Sequence, residues 1–263
     1  MLEVIAKGAV TEDHPVPLVF VHGAWHGAWC WDQHFLDHFA DLGYACRAPS
    51  LRGHGGSSGA QRLRWSRVGD YVDDLAAVVD QLPVPPVLIG HSMGGFVVQK
   101  YLERRRAAAA AVLVASVPPT GAAGATARIA RHHPVQFVKA NAMLKLAPLV
   151  ATPELARHLF FSAAASPADV ERYQRQMQDE SYRAFLDMLV LDRVKTARVS
   201  RVPTLVLGAG EDAIISTAEV RRTATTYGTE AEFFAGTGHD MMLEPQWLPV
   251  ATRIAEWLTD QGF

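Results

Sequence analysis

The sequence predicts an α/β protein: a mostly parallel sheet covered by helices on both faces, with an inserted helical cap. Two features of the 263-residue chain lead to this prediction. Short apolar runs alternate with segments of helical periodicity through residues 1–117 and return in residues 202–263, as in parallel sheets whose strands are joined by helices. Residues 118–201 contain helix-like stretches and no convincing strand. We therefore expect a core formed by residues 1–117 and 202–263 and a cap formed by residues 118–201.

The individual elements follow from the spacing of apolar residues. Short apolar runs predict strands at residues 18–21, 44–48, 86–89, 111–117, 204–207 and 231–234. Apolar residues three and four positions apart predict core helices at residues 31–42, 68–82, 95–104 and 248–258. The same periodicity predicts cap helices at residues 127–146, 153–161, 167–179 and 182–193. Because such sheets carry their sites in loops at the C-terminal ends of strands, we expect the catalytic residues to lie in those loops.

The most specific motif is Gly90-His91-Ser92-Met93-Gly94, which lies between a predicted strand and a predicted helix. A Gly-x-Ser-x-Gly pattern in this context is typical of a nucleophile elbow, a sharp turn that holds a serine hydroxyl exposed. Glycines two residues either side of the serine are expected, because a side chain there would collide with a neighbouring element. Ser92 is therefore the candidate nucleophile.

A serine nucleophile needs a base to take its proton and a carboxylate to orient that base. His239 is the candidate base, since it lies in a glycine-containing loop between the last predicted strand and the last predicted helix. Asp212 is the candidate acid, because it follows the strand at residues 204–207 through a Gly-Ala-Gly turn. Glu211 and, more weakly, Asp240 compete for that role. The chain order serine, acid, histidine matches one of the three orders known for such triads.

The oxyanion formed by attack on a carbonyl needs two fixed N–H donors. Met93, the residue after the nucleophile, is expected to supply one from the N-terminus of its helix. We expect the other to be the N–H of Ala24, in the loop after the strand at residues 18–21, with Gly23 allowing the tight turn. His22 is predicted to fix this loop by hydrogen bonding, and His91 to pack beside the elbow.

From Leu18 to the C-terminus, these residues resemble the α/β-hydrolase superfamily, and the resemblance implies that fold. The motifs that carry it are His22-Gly23, the elbow, the Asp212 loop, Gly238-His239 and Arg-Gly-His-Gly-Gly-Ser at residues 52–57. Residues 21–31 and 239–246 are similar to the methylesterase and hydroxynitrile-lyase branch, which implies a serine esterase for small, fairly apolar esters. The lyases of that branch carry a lysine beside the catalytic histidine. Asp240 stands there instead, which argues against lyase activity.

The substrate pocket is expected to be apolar, with Gly23, Trp25, Phe137, Phe160 and Phe161 as its binding residues. Further candidates for the lining are Met143, Leu144, Leu146, Met177 and Met188. A short or medium acyl ester of an uncharged alcohol is the expected substrate. Lactone, thioester or carbon–carbon bond hydrolysis would use the same triad and remains an alternative, as does a non-enzymatic small-molecule receptor on this fold. The sequence leaves the natural substrate and the oligomeric state open.

Composition and motifs give no support for several other classes of partner or site. A formal net charge of −2 gives no electrostatic reason to expect nucleic acid or an anionic membrane as a partner. With two cysteines, no recognisable signal peptide and no long apolar run, we expect a cytoplasmic protein without a disulfide framework. No metal is expected, since no His-x-x-x-His pattern with a glutamate is present, and adjacent His132 and His133 cannot share one helix face. No cofactor is expected, because no glycine-rich dinucleotide fingerprint follows a strand.

Overall fold

A computed structural model describes residues 1–104 and 106–263 of the protein. Its centre is a seven-stranded sheet in the order β1-β3-β2-β4-β5-β6-β7. The strands are β1 (Val4–Lys7), β2 (Leu18–Val21), β3 (Cys46–Pro49), β4 (Val87–His91), β5 (Ala110–Val114), β6 (Thr204–Ala209) and β7 (Ala231–Phe234). All neighbouring strands pair in parallel except β1, which is antiparallel to β3 at one edge. The expected α/β class with a mostly parallel sheet is confirmed.

Helices connect and cover the strands. They are α1 (Trp29–Asp32), α2 (Phe35–Asp41), α3 (Val68–Val79), α4 (Met93–Glu103), α5 (Ala123–His132), α6 (Pro134–Met143), α7 (Pro153–Phe160), α8 (Pro167–Gln174), α9 (Tyr182–Leu186), α10 (Thr217–Tyr227) and α11 (Trp247–Asp260). Short 3₁₀ turns occupy Ala60–Trp65, Ala147–Val150 and Thr196–Arg198, and a π-helical turn follows α9 at Asp187–Leu191. None of the helices in the described part of the chain is both long and apolar enough to cross a membrane.

Burial explains why the central strands are short apolar runs. Every residue of β2, β4 and β5 is buried, as expected for parallel strands with helices on both faces. By contrast β1 alternates between exposed and half-buried residues. This weak edge strand was missing from the sequence prediction because its apolar run, Val4-Ile5-Ala6, is only three residues long.

Two of the predicted helices are interrupted. The segment at residues 31–42 forms α1 and α2, separated by Gln33 and His34. The segment at residues 127–146 contains the end of α5 and all of α6, because Pro134 lacks an N–H and disfavours helical backbone at the residue before it. Proline is well suited to the first position of a helix, and α6 begins there.

Between β5 and β6 the chain adds helices to the C-terminal side of the sheet. Residues 115–203, all within the described part, contain α5 to α9 and no strand. The predicted helix at residues 182–193 ends earlier, at Leu186, where the π-helical turn begins. Helix α10, which the sequence analysis missed, follows β6 and begins with a capping box in which the Ser216 and Glu219 side chains each accept a hydrogen bond from the other residue's N–H.

Candidate active site

The turn from β4 to α4 holds Ser92 in an unusual backbone conformation. Its φ is 52° and its ψ is −116°, and it lies between the last residue of β4 and the first residue of α4. Positive φ is costly for a residue with a Cβ atom, so the packing around the turn must impose it. Ser92 therefore lies at the N-terminus of α4 and is almost completely buried, with 8% of its surface exposed.

The glycines of the motif permit this turn. A Cβ atom on Gly90 would lie 2.6 Å from the carbonyl oxygen of Gly94, and one on Gly94 would overlap the carbonyl oxygens of Val21 and His22. Backbone cannot move aside as a flexible side chain can. The expectation that side chains at these two positions would collide with neighbouring elements is confirmed.

Three side chains from distant parts of the chain meet at this turn. His239 Nε2 lies 2.9 Å from Ser92 Oγ, and His239 Nδ1 lies 2.8 Å from Asp212 Oδ2. The His239 and Asp212 side chains are each only 1% exposed. With Nδ1–H donating to the carboxylate, Nε2 is left as the acceptor for the serine hydroxyl proton.

The backbone of its own loop orients Asp212. Its Oδ1 accepts hydrogen bonds from the N–H groups of Ile214 and Ile215, at 2.7 and 2.8 Å, which leaves Oδ2 facing His239. Neither competitor is placed this way. Glu211 is exposed, and the Asp240 carboxylate contacts a different histidine, His26.

The two expected oxyanion donors line the same cavity as Ser92. Ala24 and Met93 both contribute to its wall. Among the described residues, neither backbone N–H is bonded to a protein acceptor. Met93 is the first residue of α4, where an N–H has no partner within the helix, so its donor is free for a ligand.

Two further histidines hold the surrounding loops. His22 Nδ1 lies 2.8 Å from the Gly23 carbonyl oxygen, and its Nε2 accepts from the Leu51 N–H at 3.0 Å. His91 Nε2 donates to the carbonyl oxygen of His239 at 3.0 Å. Burial, helped by the nearby His239, lowers the pKa of His91 to about 3, so this ring is neutral at working pH. Both residues thus have the positioning contacts that the sequence predicts for them.

A buried ion pair that sequence reasoning missed lies behind these loops. His26 Nδ1 is 2.7 Å from the Ala24 carbonyl oxygen, and His26 Nε2 is 3.0 Å from Asp240 Oδ2. Because both nitrogens face acceptors, both must carry protons, and the ring is an imidazolium. Burial alone would lower the pKa of His26, but the charge and hydrogen bond of Asp240 outweigh it and raise that pKa. His54 and Glu180 form a second such pair at 3.0 Å.

The cavity beside Ser92 is apolar and has a volume of about 70 Å³. Of the five predicted binding residues, Trp25 and Phe137 line it. The rest of the wall is formed mainly by Val117, Ala122, Ala125, Thr126, Ile129, Leu146, Leu149, Phe185, Met188 and Ile214, with the buried Glu180 as its one acidic residue.

The other three predicted binding residues do not line this cavity. Phe160 lies behind the site, with its ring 5.5 Å from that of His26 and 6.0 Å from that of His239. Phe161 stacks on Tyr173 at 5.8 Å. Gly23 contacts the elbow instead: a Cβ atom there would lie 2.7 Å from His91 Nδ1. Helical periodicity indicates that aromatic residues are buried but not which cavity they face. Of the further candidates, Leu146 and Met188 line the wall, whereas Met143, Leu144 and Met177 do not.

One group of side chains in the described residues has the spacing of metal ligands. The ligand atoms of His91, His239 and Asp240 lie within 4.8 Å of one another. Each of them already has a protein partner, because His239 bridges Ser92 and Asp212, His91 bonds a carbonyl oxygen and Asp240 pairs with His26. A metal ion bound by all three would have to take a His239 nitrogen away from Ser92 or Asp212.

Comparison with known proteins gives a family and a fold. The model of the alpha/beta hydrolase family matches residues 18–249. Phospholipase YtpA of Bacillus subtilis (strain 168) is 26% identical over 270 residues, covering 95% of this chain and 97% of the relative. Methylesterase 18 of Arabidopsis thaliana is 37% identical over 79 residues, 29% of each chain. The crystal structure of the Paleococcus ferrophilus monoacylglycerol lipase has a TM-score of 0.73 and 22% identity, covering 99% of both chains, and so shares the fold.

Proposed function

We propose that this chain, a carboxylic ester hydrolase that belongs to the alpha/beta hydrolase family, cleaves small to medium, fairly apolar esters through an acyl-enzyme intermediate. The observation that carries the proposal is the hydrogen-bonded series from Asp212 through His239 to Ser92. An ester substrate is supported by the names of the two relatives, a phospholipase and a methylesterase. The protein that shares the fold is named as a monoacylglycerol lipase, which also acts on an ester.

In the proposed first step, Ser92 Oγ attacks the ester carbonyl while His239 Nε2 takes its proton. Asp212 remains ionised, holds the ring through Nδ1–H and stabilises the imidazolium that forms. The carbonyl oxygen becomes an oxyanion that accepts hydrogen bonds from the N–H groups of Ala24 and Met93. His239 then protonates the leaving alcohol, and the acyl group stays on Ser92.

In the second step, water takes the place of the alcohol. His239 Nε2 removes a proton from the water as it attacks the acyl carbonyl, and the same two N–H groups bind the second oxyanion. Ser92 recovers its proton when the acid leaves. The geometry needs no metal or organic cofactor for either step.

We propose that residues 118–201 act as a cap over this site. The segment supplies much of the cavity wall, including Ile129, Phe137 and Met188. A cavity of about 70 Å³ is several times the roughly 10–15 Å³ that a single water needs, so it has room for a small apolar group. This space fits a short acyl chain, and the apolar wall favours an uncharged one.

A substrate panel tests the proposal. The wild type and Ser92→Ala would be assayed with p-nitrophenyl esters from acetate to palmitate, with γ-lactones and with thioesters. We expect turnover of short esters by the wild type alone. Exclusive turnover of lactones or thioesters would replace the ester assignment. A protein that binds the esters without turnover would be a receptor, and the hydrolase proposal would fail.

A further inference from the structure

Helix α6 presents apolar side chains to solvent. The side chains of Val135 and Val138 are 72% and 66% exposed, and Met143 and Leu144 at the end of the helix are 45% and 39% exposed. Surface helices usually expose polar residues on this face. A cluster of exposed apolar residues on one element is typical of an interaction surface.

The opposite face of α6 belongs to the catalytic cavity. Phe137 lines that cavity, and Ala140 is completely buried. Val135 and Val138 are three residues apart and therefore lie on a common face, on the other side of the helix. The helix is thus apolar on both sides, and a single helix separates the cavity from the exposed surface.

The segment of the chain that contains α6 carries charges of one sign. The sequence has no Asp or Glu between Glu103 and Glu154. Arg131, Lys139 and Lys145 lie within that interval, and none of the three forms an ion pair with a carboxylate of the described residues. Asp179 lies against the end of the segment, where its Oδ1 accepts hydrogen bonds from the N–H groups of Leu146 and Ala147. The whole-chain charge of −2 hides this local excess of cations.

We propose that this surface, the α6 face, docks on an anionic lipid surface. It consists of Val135, Val138, Met143 and Leu144 with the cations Arg131, Lys139 and Lys145. Apolar side chains flanked by lysine and arginine are the composition of helices that lie in a lipid interface, where the cations meet anionic headgroups and the apolar residues enter the acyl boundary.

Charge distinguishes this occupant from a second copy of the chain. A twofold dimer contact places the same surface of each protomer against the other, so three cations would face three cations. An anionic lipid surface has the opposite sign. Docking would bring the wall of the catalytic cavity against a phase in which apolar esters concentrate. The proposal goes beyond the hydrolase function and does not require it.

Vesicle flotation tests the proposal with Ser92→Ala, so that no lipid is turned over. Vesicles of phosphatidylcholine with equal phosphatidylglycerol would be compared with pure phosphatidylcholine vesicles. The double variants Val135→Ser/Val138→Ser and Lys139→Gln/Lys145→Gln would be measured on the same background. Leu248→Ser in α11, whose side chain is 47% exposed, is the matched control for loss of exposed apolar surface.

We expect flotation with the anionic vesicles only, and weaker flotation as salt is raised. Removing two cations should lower the partition coefficient about 25-fold, since each lysine near an anionic surface contributes roughly fivefold. The double valine variant should also lose flotation, and Leu248→Ser should float unchanged. Equal flotation of all variants, or no flotation of the parent, would overturn the proposal. So would a dimer in light scattering that Val135→Ser/Val138→Ser dissociates, because the face would then bind a second copy.

Discussion

The buried imidazolium of His26 lies 3.0 Å from the carboxylate of Asp240 and joins the two loops on either side of Ser92. One loop carries Ala24, whose carbonyl oxygen accepts from His26 Nδ1, and the other carries His239, the residue before Asp240. The pair therefore fixes the proposed oxyanion donor relative to the proposed base. Neither side chain is exposed to solvent.

The first prediction concerns this pair. Asp240→Asn should lower the free energy of unfolding by about 3 kcal/mol, because removing one member of a buried ion pair leaves the other charge without a partner. Glu256→Gln, at an exposed position of α11, is the control and should change little. Urea denaturation followed by circular dichroism measures both. Equal stability of Asp240→Asn and the control would show that the pair contributes nothing.

The same pair predicts a pH dependence. The pKa of His26 is raised above 6.5, so its contribution is complete below pH 6.5 and is lost as pH rises through the raised value. Burial alone would raise the pKa of Asp240, but the charge and hydrogen bond of His26 outweigh it and lower that pKa below 3.8. The contribution of Asp240 is therefore complete above pH 3.8 and is lost as pH falls through the lowered pKa. The difference in the free energy of unfolding between wild type and Asp240→Asn should be largest between pH 3.8 and pH 6.5. It should shrink as pH rises through the raised pKa of His26 or falls through the lowered pKa of Asp240. A difference that grows steadily above pH 8 would contradict the assignment of charges.

The identity of the acid can be tested directly. Ser92→Ala should lower kcat by roughly a million-fold and Asp212→Asn by about ten-thousand-fold, as in other serine triads. Glu211→Gln is the matched control, because Glu211 is the adjacent residue but points to solvent. Steady-state kinetics with p-nitrophenyl butyrate measure all three. If Glu211→Gln lowers kcat strongly while Asp212→Asn leaves kcat nearly unchanged, the acid has been assigned wrongly.

A backbone collision predicts the effect of alanine at Gly94. Because the added Cβ would overlap two carbonyl oxygens, Gly94→Ala should destabilise the fold by about 1–3 kcal/mol or more and reduce activity. In Gly69→Ala the new Cβ meets only the end of the Arg104 side chain, and α3 should gain up to about 1 kcal/mol. Thermal unfolding of the two variants should therefore shift in opposite directions. A Gly94→Ala protein as stable and active as wild type would refute the tight elbow.

Acyl-chain length should depend on the cavity wall. Met188→Ala removes a residue that lines the cavity, so the chain length with the highest kcat/KM should increase. Met143→Ala makes the same change at an exposed position and should leave the optimum where it was. An ester series from acetate to decanoate measures the optimum. The same shift in both variants would mean that the acyl group binds elsewhere.

Local patterns were sufficient for much of the fold and of the candidate site. The elbow is predictable because Gly90, Ser92 and Gly94 act within one turn, and the positions of Asp212 and His239 follow from the strands before them. Helix α10 had a readable signal in its Ser216-to-Glu219 capping box that the sequence analysis did not use. The weak edge strand β1 had only a three-residue apolar run, which is too short to predict a strand.

Contacts between residues far apart in the chain could not be predicted from the sequence. His26 and Asp240 are 214 residues apart, and nothing near either in sequence indicates its partner. Phe160 and Phe137 both lie in helices of the same segment, yet one packs behind His239 and the other lines the cavity. Periodicity indicates that a residue faces inward, whereas the tertiary packing decides what it faces.

The central claim is that Ser92 becomes acylated during turnover. Acid-quenching the wild type within milliseconds of mixing with p-nitrophenyl butyrate, followed by mass spectrometry of its peptides, tests this claim most directly. We predict one butyryl group per chain on the peptide containing Ser92, formed in step with a burst of p-nitrophenol. Butyrylation at another residue only, or undiminished hydrolysis by Ser92→Ala, would contradict the account.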